Sequence, residues 1–407
     1  MKSNVILTFL NLFIGVLLFA QETNENSFSF KWDNGFKIES ADKQFLFKFG
    51  GRIMLDHAYF NQNTELDANL GPLQTTNSTE IRRGRFFVSG AIYNNVEFKL
   101  QADFAGAEVS LKDVYIGIKN IPIIGTLRMG HVKEPFRLET MTSSKYIIFL
   151  ERSFSESFLP VRNNGVILFN QFFDKKLGVQ AGYFRNSDGT ANSIDANNGY
   201  ALTARVTSLL LNNEEKKQLW HVGLGLSSRK IDDNTYKISS RPESHLGLKY
   251  INTGTIDNID KINFTNFETA FVLGSLALQA EYLTANVNMD AATNDYKFSS
   301  YYGQASYFLT GENRKYKSSY SGFGRIKPNN NFGGKNEEGS GAWELALRYS
   351  HSNLNSEDIL GGEQSDVTLG LNWYLNSATR IMLNHVWADV IDTGKASIFQ
   401  MRFQIDF

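Results

Sequence analysis

The sequence of 407 residues contains no cysteine and has a formal net charge of −1 at pH 7. Without cysteine the chain has no disulfide framework, no thiolate nucleophile and no cysteine metal site, so redox chemistry is not expected. The near-zero charge supplies no general basic field for nucleic acid, and any electrostatic function depends on where individual charges lie. Phe (32), Tyr (17) and Gly (33) are abundant, yet the mean hydropathy is −0.29, which indicates apolar residues interleaved with polar ones, as in strands.

The N-terminal residues 1–20, MKSNVILTFLNLFIGVLLFA, predict a secretory signal peptide, because Lys2 precedes an apolar run that ends in the small residue Ala20. An anchoring helix is the alternative, since Leu18 occupies a position where a signal peptide usually has a small residue. No later apolar stretch approaches the roughly 18 to 20 residues that a spanning helix needs. The mature chain is therefore predicted to lack a transmembrane helix.

A two-residue alternation of apolar and polar side chains runs through the remaining sequence and predicts strands. It is clear in EFKLQADF (97–104), in AWELALRYSH (342–351) and in the C-terminal FQMRFQIDF (399–407). Sixteen strands are predicted, near residues 44–60, 80–93, 95–104, 109–119, 124–132, 163–172, 176–185, 198–210, 218–230, 261–273, 276–288, 297–309, 341–352, 364–375, 379–390 and 395–407.

The predicted connections differ in length between the two ends of the strands. With both termini on one side of a membrane, the tight turns at 94–95, 120–123, 273–275 and 376–378 share that side, and the longer connections at 61–79, 134–162, 186–197 and 231–260 lie on the other. This asymmetry is typical of bacterial outer-membrane barrels, in which closure leaves no unpaired edge in the hydrocarbon. The long connection 310–340 departs from the pattern. Aromatic residues near strand ends suit the interfacial girdles, namely Trp220, Trp373, Tyr374, Trp387 and Phe407.

Longer motifs carry a family resemblance. The motifs together run from about residue 44 to the end. They are EIRRGRFFVSGAIYNNVEFKLQADFAGAEVSLKDVYIGIKN, LRMGHVKEPFRLETMTSSKYIIFLERSF, RPESHLGLKYINTGT, GAWELALRYS and LGLNWYLN. They resemble the phosphate-selective porin O and P family in its form from Bacteroidetes-like bacteria. The resemblance implies an all-β fold, a 16-stranded antiparallel transmembrane barrel, usually trimeric, through which small anions diffuse. It also implies a constriction loop at 134–162, after the fifth strand, and recognition of Phe407 by the outer-membrane assembly machinery.

Candidate pore residues must be basic and face the lumen, because fixed cations at a constriction select anions and a guanidinium donates two parallel hydrogen bonds to an oxyanion. By resemblance, Arg82 and Arg83 match a pair of pore arginines, Arg152 lies on the constriction loop and Asp113 matches an acidic pore residue. Strict alternation, however, sends Arg82 and Arg83 to opposite faces, so one of them could be an interfacial arginine.

Nine further basic residues could form a ladder along the lumen wall or simply pair with neighbouring carboxylates: Arg52, Arg85, Lys99, Arg128, Lys133, Arg137, Lys145, Arg348 and Arg402. Of these, Arg52 and Lys145 join the predicted anion path. Two departures from the family pattern, Glu97 and Thr140, stand where phosphate-selective members have lysines. A carboxylate at the constriction would oppose phosphate and favour a less selective pore.

The sequence therefore predicts a passive outer-membrane diffusion channel for small solutes, in particular anions such as phosphate, in a Gram-negative cell. Its predicted organisation is a signal peptide (1–20), an N-terminal periplasmic segment (21–43) and an outer-membrane barrel (44–407). Outer-membrane lipid, small anions, the assembly machinery and two further copies of the chain are the expected partners. The six scattered histidines lack metal-ligand spacing, so no metal, cofactor or catalytic group is predicted. A non-selective general porin, an outer-membrane barrel enzyme and a soluble secreted sugar-binding protein are the alternatives.

Overall fold

The computed structural model describes residues 27–33, 35–193, 199–290, 294–333 and 339–407. The predicted signal peptide, residues 1–20, lies outside these ranges. The strands in chain order are β1 Phe28–Trp32, β2 Phe36–Ser40, β3 Phe45–Gln62, β4 Asn77–Ile92, β5 Val96–Asp103, β6 Ser110–Ile121, β7 Gly125–Lys133, β8 Arg162–Phe172, β9 Leu177–Arg185, β10 Tyr200–Asn213, β11 Gln218–Lys230, β12 Ser239–Ser240, β13 Ile251–Asn252, β14 Ile259–Leu273, β15 Leu276–Met289, β16 Tyr296–Phe308, β17 Tyr316–Lys317, β18 Gly322–Phe323, β19 Ala342–Ser356, β20 Ile359–Tyr374, β21 Thr379–Val390 and β22 Gly394–Asp406.

Helices are few and short in the described part of the chain. Two are α-helical, α1 Thr64–Leu70 and α2 Leu138–Met141, and two are single 3₁₀ turns, Phe154–Ser157 and Ser318–Tyr320. Within the described ranges no helix has the length and apolar character needed to cross a membrane.

Sixteen strands of the described chain, β3 to β11, β14 to β16 and β19 to β22, form one closed antiparallel barrel. The first and last of them close it, because β22 pairs with β3 over eleven residues, from Ala396 opposite Gln62 to Asp406 opposite Arg52. Each predicted strand corresponds to one of these sixteen, so the predicted all-β, 16-stranded antiparallel barrel is confirmed. We call the end of the barrel that carries Phe407 the terminal end.

The residues that precede the barrel extend its wall at the terminal end. β1 pairs with β2 along five residues, and β2 pairs with the first half of β3, where Phe36 lies opposite Phe49. Towards the terminal end, past the last residue of β22, β2 therefore replaces β22 as the hydrogen-bonded neighbour of β3. Part of the predicted N-terminal segment 21–43 is thus an extension of the barrel sheet.

Exposure alternates along the strands as the sequence pattern predicts. On β22, Met401 is 45% exposed while the neighbouring Arg402 is 0% exposed, so apolar side chains face outward and polar ones face the lumen. Trp220 and Trp387 lie on the outer face, as expected for girdle residues. The prediction for Tyr374 is wrong: it is buried, and its hydroxyl donates to Glu344 Oε2 inside the barrel at 2.9 Å. Its strand position places it on the same face as Asn372.

The lumen is largely filled by the chain itself. Residues 134–161, called here the inner loop, are bound through their backbone carbonyls by inward side chains of three strands: Asn372 to Ile148 at 2.9 Å, Arg380 to Ile147 at 2.8 Å and Arg402 to Leu150 at 2.6 Å. Because buried carbonyls need donors, these contacts hold the inner loop against the β20 to β22 wall.

The connection between β16 and β19 also enters the lumen. In its described residues 309–333, called here the inner segment, Arg314 Nη2 pairs with Glu344 Oε1 at 2.5 Å and Arg325 pairs with Asp406. Phe323 N donates to Thr142 Oγ1 of the inner loop at 3.1 Å. The other connections at the terminal end are short turns, whereas this one is long because it packs inside the barrel. Its length accounts for the departure of 310–340 from the predicted pattern of connections.

Candidate functional site: a cationic cavity in the lumen

A cavity of about 590 Å³ remains between the inner loop, the inner segment and the β3 to β9 wall. Its lining contains fourteen basic side chains and two carboxylates, Asp113 and Glu156. All six residues predicted for the anion path, Arg52, Arg82, Arg83, Asp113, Lys145 and Arg152, are among the lining residues. The other basic ones are Lys48, Arg85, Lys99, Lys112, Arg128, Lys133, Arg162, Lys317 and Arg325.

A β-bulge explains how Arg82 and Arg83 both reach the cavity. Met54 lies opposite Arg83 whereas the next residue, Leu55, lies opposite Ile81, so Arg82 is an extra residue in β4. An extra residue interrupts strict alternation and re-aims a side chain. The bulge therefore turns two successive guanidinium groups inward, while Ile81 remains 52% exposed on the outer face.

A second bulge adds a lysine next to Asp113. Leu100 of β5 lies opposite Val114, and Ala102 lies opposite Leu111, so two residues of β6 face one residue of β5. Lys112 and Asp113 both line the cavity as a result. Since alternation alone would expose one of them to lipid, where a charge is costly, the bulge is what brings both charged side chains to the cavity.

Asp113 is held between two cations. Lys99 Nζ donates to its Oδ2 at 2.5 Å and Arg162 Nε donates to its Oδ1 at 2.7 Å. The carboxylate therefore orients these two side chains and offsets part of their charge. Four further carboxylates lie outside the lining and pair with lining cations, namely Glu97, Asp103, Glu151 and Asp406. Together with Asp113 and Glu156, six carboxylates therefore accompany the fourteen basic groups.

The two departures from the family pattern lie away from the cavity lining. Glu97 Oε1 accepts a hydrogen bond from Arg128 Nε at 2.6 Å, and that guanidinium lies between the rings of Tyr115 and Phe169. Thr140 is buried within the inner loop, where its hydroxyl donates to Glu156 Oε2 at 3.0 Å and its carbonyl accepts from Lys133 at 2.5 Å. The expected opposition of Glu97 to anions is therefore offset by Arg128.

Arg152 stabilises the inner loop as well as lining the cavity. Its Nε donates to the Glu139 carbonyl at 2.9 Å, its Nη2 to the Thr142 carbonyl at 3.0 Å and its Nη1 to Glu156 Oε1 at 2.7 Å. Burial raises the pKa of Glu156, but the positive charges of Arg152 and Arg137 offset this and hold the pKa below its ordinary value. Glu156 is thus a fixed anion that ties the loop to its own arginines.

Two wall cations with few carboxylate contacts, Arg52 of β3 and Arg83 of β4, lie beside the inner loop, which itself contributes Lys145. Arg52 Nη1 donates to Ser144 Oγ at 2.7 Å, and Arg83 approaches Glu151 only to 3.8 Å. Lys145 Nζ lies 3.1 Å from Asp406 Oδ2, and burial lowers the pKa of Lys145 to about 8 although Asp406 opposes the shift. Arg52 and Arg83 therefore provide positive potential that internal ion pairs cancel only in part.

Three members of the predicted ladder lie outside the cavity. Arg348 donates to Glu243 Oε2 through Nε at 2.9 Å, Arg402 pairs with Asp56 at 2.6 Å and Arg137 pairs with Glu156 at 2.6 Å. All three are buried. They hold loops inside the lumen through their carboxylate partners. Of the two alternatives, pairing with carboxylates therefore applies to these three arginines, and a ladder along the passage does not.

Sequence reasoning missed several lining residues. Lys48 shares a strand face with Arg52, four residues along β3, so alternation could have identified it. Lys112 depends on a bulge, and Lys317 and Arg325 lie on the inner segment, whose entry into the lumen has no local signal. Across the described ranges, no group of three or more His, Asp or Glu residues is arranged to hold a metal ion.

Comparisons with known proteins decide the family. The family described as phosphate-selective porin O and P matches residues 47–407. The chain belongs to this porin family. The porin is 27% identical over 400 residues to Porin O of Pseudomonas aeruginosa, covering 88% of this chain and 86% of that protein. It is a channel of the Gram-negative outer membrane rather than an enzyme.

Solved structures share the fold of the porin at low identity. An anion-selective porin from Comamonas acidovorans aligns with a TM-score of 0.57 and 13% identity, covering 89% of this chain and 100% of that chain. The trimer form of OmpT, an outer membrane protein of Vibrio cholerae, aligns with a TM-score of 0.55 and 10% identity, covering 89% and 99%. At these identities the likeness shows the barrel fold alone.

Proposed function

We propose that this porin is an anion-selective diffusion channel whose passage follows the cationic cavity and admits small oxyanions, inorganic phosphate among them. The observation that carries the proposal is the lining of fourteen basic side chains against two carboxylates. Fixed cations along a narrow passage with low-dielectric walls raise the local anion concentration and repel cations. Arg52, Arg82, Arg83, Arg152, Lys145 and Asp113 form the anion path in this proposal.

The inner loop is the constriction element of the channel. Its Ser144 accepts a hydrogen bond from Arg52 of β3 at 2.7 Å, and across the lumen its Leu138 N donates to Glu281 Oε2 of β15 at 3.1 Å. A segment fixed to opposite walls of a barrel divides its lumen, so solutes are confined to the cationic side. Free diffusion at a cation-lined constriction also requires weak binding, which the pairing of Asp113 with Lys99 and Arg162 favours by offsetting part of their charge.

The orientation follows from the termini and the connections. The terminal end faces the periplasm, with the extension formed by β1 and β2, and the outer faces of the strands contact lipid. Phe407 is read by the barrel assembly machinery. It directly follows β22, its backbone N–H donates to the Gly51 carbonyl at 3.2 Å, and its carbonyl accepts from Gly51 N at 2.6 Å. The trimeric form of the Vibrio cholerae OmpT structure supports a homotrimer, and the quoted sequence motifs support the form of the family from Bacteroidetes-like bacteria.

Reversal potentials in planar bilayers test the selectivity. Purified protein under a KCl gradient is expected to give a potential of the sign set by chloride, and added phosphate is expected to reduce the chloride current. Arg52→Gln and Lys112→Met should each weaken the anion preference. Lys395→Gln is the matched control, because Lys395 lies on the outer rim, 67% exposed and paired with Asp389. A potential of the sign set by potassium contradicts the proposal.

A non-selective general porin is the second candidate, favoured by the six carboxylates that face the cations and by Glu97 in particular. It predicts a weak anion preference and no effect of phosphate on the chloride current. The same bilayer measurement therefore separates the two functions.

A further inference from the structure

The cavity lining contains aromatic rings as well as cations. Five rings are present, those of Phe87, Tyr115, Tyr146, Phe169 and Tyr320. A volume of about 590 Å³ lies in the range of pockets that take drug-sized ligands, roughly 300 to 1,000 Å³. A passage for inorganic phosphate alone requires neither that volume nor rings, since a hydrated oxyanion gains nothing from an apolar face.

Most of these rings already hold a cation of the protein. Arg128 lies 4.5 Å from the Tyr115 centroid and 4.7 Å from that of Phe169, and Tyr146 has Lys145 at 5.4 Å and Arg325 at 5.3 Å. The remaining ring with such a contact is Phe87, with Lys99 at 5.7 Å. Among the described residues, Tyr320 has no cation or ring stacked on it, so its ring is available to a solute.

The backbone around Tyr320 is fixed in place. The carbonyl of Ser321 accepts from Arg205 Nη2 at 2.8 Å, and Arg205 is itself buried and paired with Glu268 at 2.6 Å. The Tyr320 hydroxyl donates to the Phe323 carbonyl at 3.0 Å. Gly322 packs against the ring, where a Cβ would come within 3.1 Å of two ring atoms. A ring held in this way loses little conformational entropy when a ligand stacks on it.

Three cations line the cavity together with this ring. Lys317 precedes the same turn, and Lys48 of β3 is close enough to Lys317 and Arg325 for their charges to interact. All three line the cavity with Tyr320. A positively charged groove with an open aromatic ring is the arrangement that binds planar anionic ligands, because charge attracts the oxyanion and the ring stacks on the plane.

We propose that Tyr320 is a stacking platform that makes the channel prefer phosphate monoesters carrying an aromatic ring, such as an aryl phosphate, over saturated esters of the same charge. The phosphate is held by Lys317, Lys48 and Arg325 while the ring of the solute lies on Tyr320. This inference rests on the proposed anion-channel function and specifies the solute class at its terminal end.

Block of the chloride current in planar bilayers tests the proposal with two matched probes, phenyl phosphate and cyclohexyl phosphate. They share charge and approximate size and differ in aromaticity. Phenyl phosphate is expected to half-block the wild-type current at about a tenfold lower concentration, since base–aromatic stacking changes affinity by that order. Tyr320→Leu should remove the difference, and Tyr320→Phe, which keeps the ring and loses the hydroxyl, should retain it.

Equal block of the wild type by the two esters overturns the proposal, and so does a preference for phenyl phosphate that survives in Tyr320→Leu. Failure of the proposed function has a different signature, a reversal potential under a KCl gradient of the sign set by potassium. An unchanged KCl conductance in Tyr320→Leu shows that the variant barrel is folded and open.

Discussion

Arg82 donates two parallel hydrogen bonds to Glu151, from Nε to Oε1 at 2.8 Å and from Nη2 to Oε2 at 3.0 Å. The pair joins the barrel wall to the inner loop. Glu151 also contacts Arg402 Nη2 at 2.8 Å and Arg83 Nη2 at 3.8 Å. Burial raises the pKa of Glu151, but the charges of Arg82, Arg83 and Arg402 more than offset this and hold the pKa well below its ordinary value. One ionised carboxylate therefore organises three guanidinium groups at the edge of the cavity.

Glu151→Gln is expected to increase the anion preference. The amide keeps the shape of the side chain but removes a negative charge, while the three arginines keep theirs. A unit charge at 4 Å in water is worth about 1 kcal/mol, so the ratio of anion to cation permeability should rise by up to about fivefold. Reversal potentials under a KCl gradient measure this ratio.

The matched control is Glu134→Gln, because Glu134 pairs with Arg229 at 2.5 Å and lies outside the cavity lining. It should leave the reversal potential unchanged. A shift of Glu151→Gln towards cation preference would show that its carboxylate acts only by positioning the loop.

Arg402→Gln is expected to release the inner loop. Arg402 is 0% exposed, and its loss leaves Asp56 buried without its partner and the Leu150 carbonyl without its donor. Removing one member of a buried ion pair costs about 3 to 5 kcal/mol. Urea unfolding in detergent should show a reduced free energy of unfolding, and limited proteolysis should cut within residues 134–161.

Arg128→Gln serves as the comparison for this loop. Arg128 pairs with Glu97 on the barrel wall and packs between two rings of the wall strands. Its loss should leave the inner loop as resistant to protease as in the wild type. Equal resistance in Arg402→Gln would mean that other contacts suffice to hold the loop.

Lys145 predicts a pH dependence of the selectivity. Its pKa of about 8 means that the ammonium is mostly charged at pH 7 and is lost as the pH rises through 8. Because a lysine contributes positive charge only below its pKa, the anion preference should fall between pH about 7 and about 10. Lys145→Arg, which stays charged over this range, should flatten that part of the profile. An identical profile in the two proteins would exclude Lys145 as the titrating group.

Gly51→Ala is expected to weaken closure of the barrel. A Cβ at Gly51 would lie 2.5 Å from the Arg85 carbonyl oxygen and 2.7 Å from the Phe407 ring, so the last strand pair would have to shift. Overpacking of this kind costs about 1 to 3 kcal/mol. Gly303→Ala is the control, since nothing lies within 4 Å of its Cβ position. Urea midpoints in detergent compare the two, and equal midpoints would show that the seam tolerates a methyl group.

The outer wall of this porin follows directly from its sequence. The two-residue alternation in segments such as Phe399–Phe407 is a local property, since successive side chains of a strand point to opposite faces whatever the strand pairs with. Strand number and outward-facing residues could therefore be predicted. All six residues predicted for the anion path line the cavity, while their roles in transport stay predictions.

Tertiary structure alone decided what lies inside. The inward positions of Arg82 and Lys112 depend on bulges, which exist only as mismatches between paired strands. The roles of Arg402 and Arg348 depend on partners far along the chain, as with Arg402 and Asp56. Alternation sends Arg348 and Arg402 inward just as it does Arg52, which lines the cavity. Whether an inward arginine faces solute or is buried against a loop is set by how the inner loop and the inner segment share the limited volume of the lumen, and no local pattern encodes that packing.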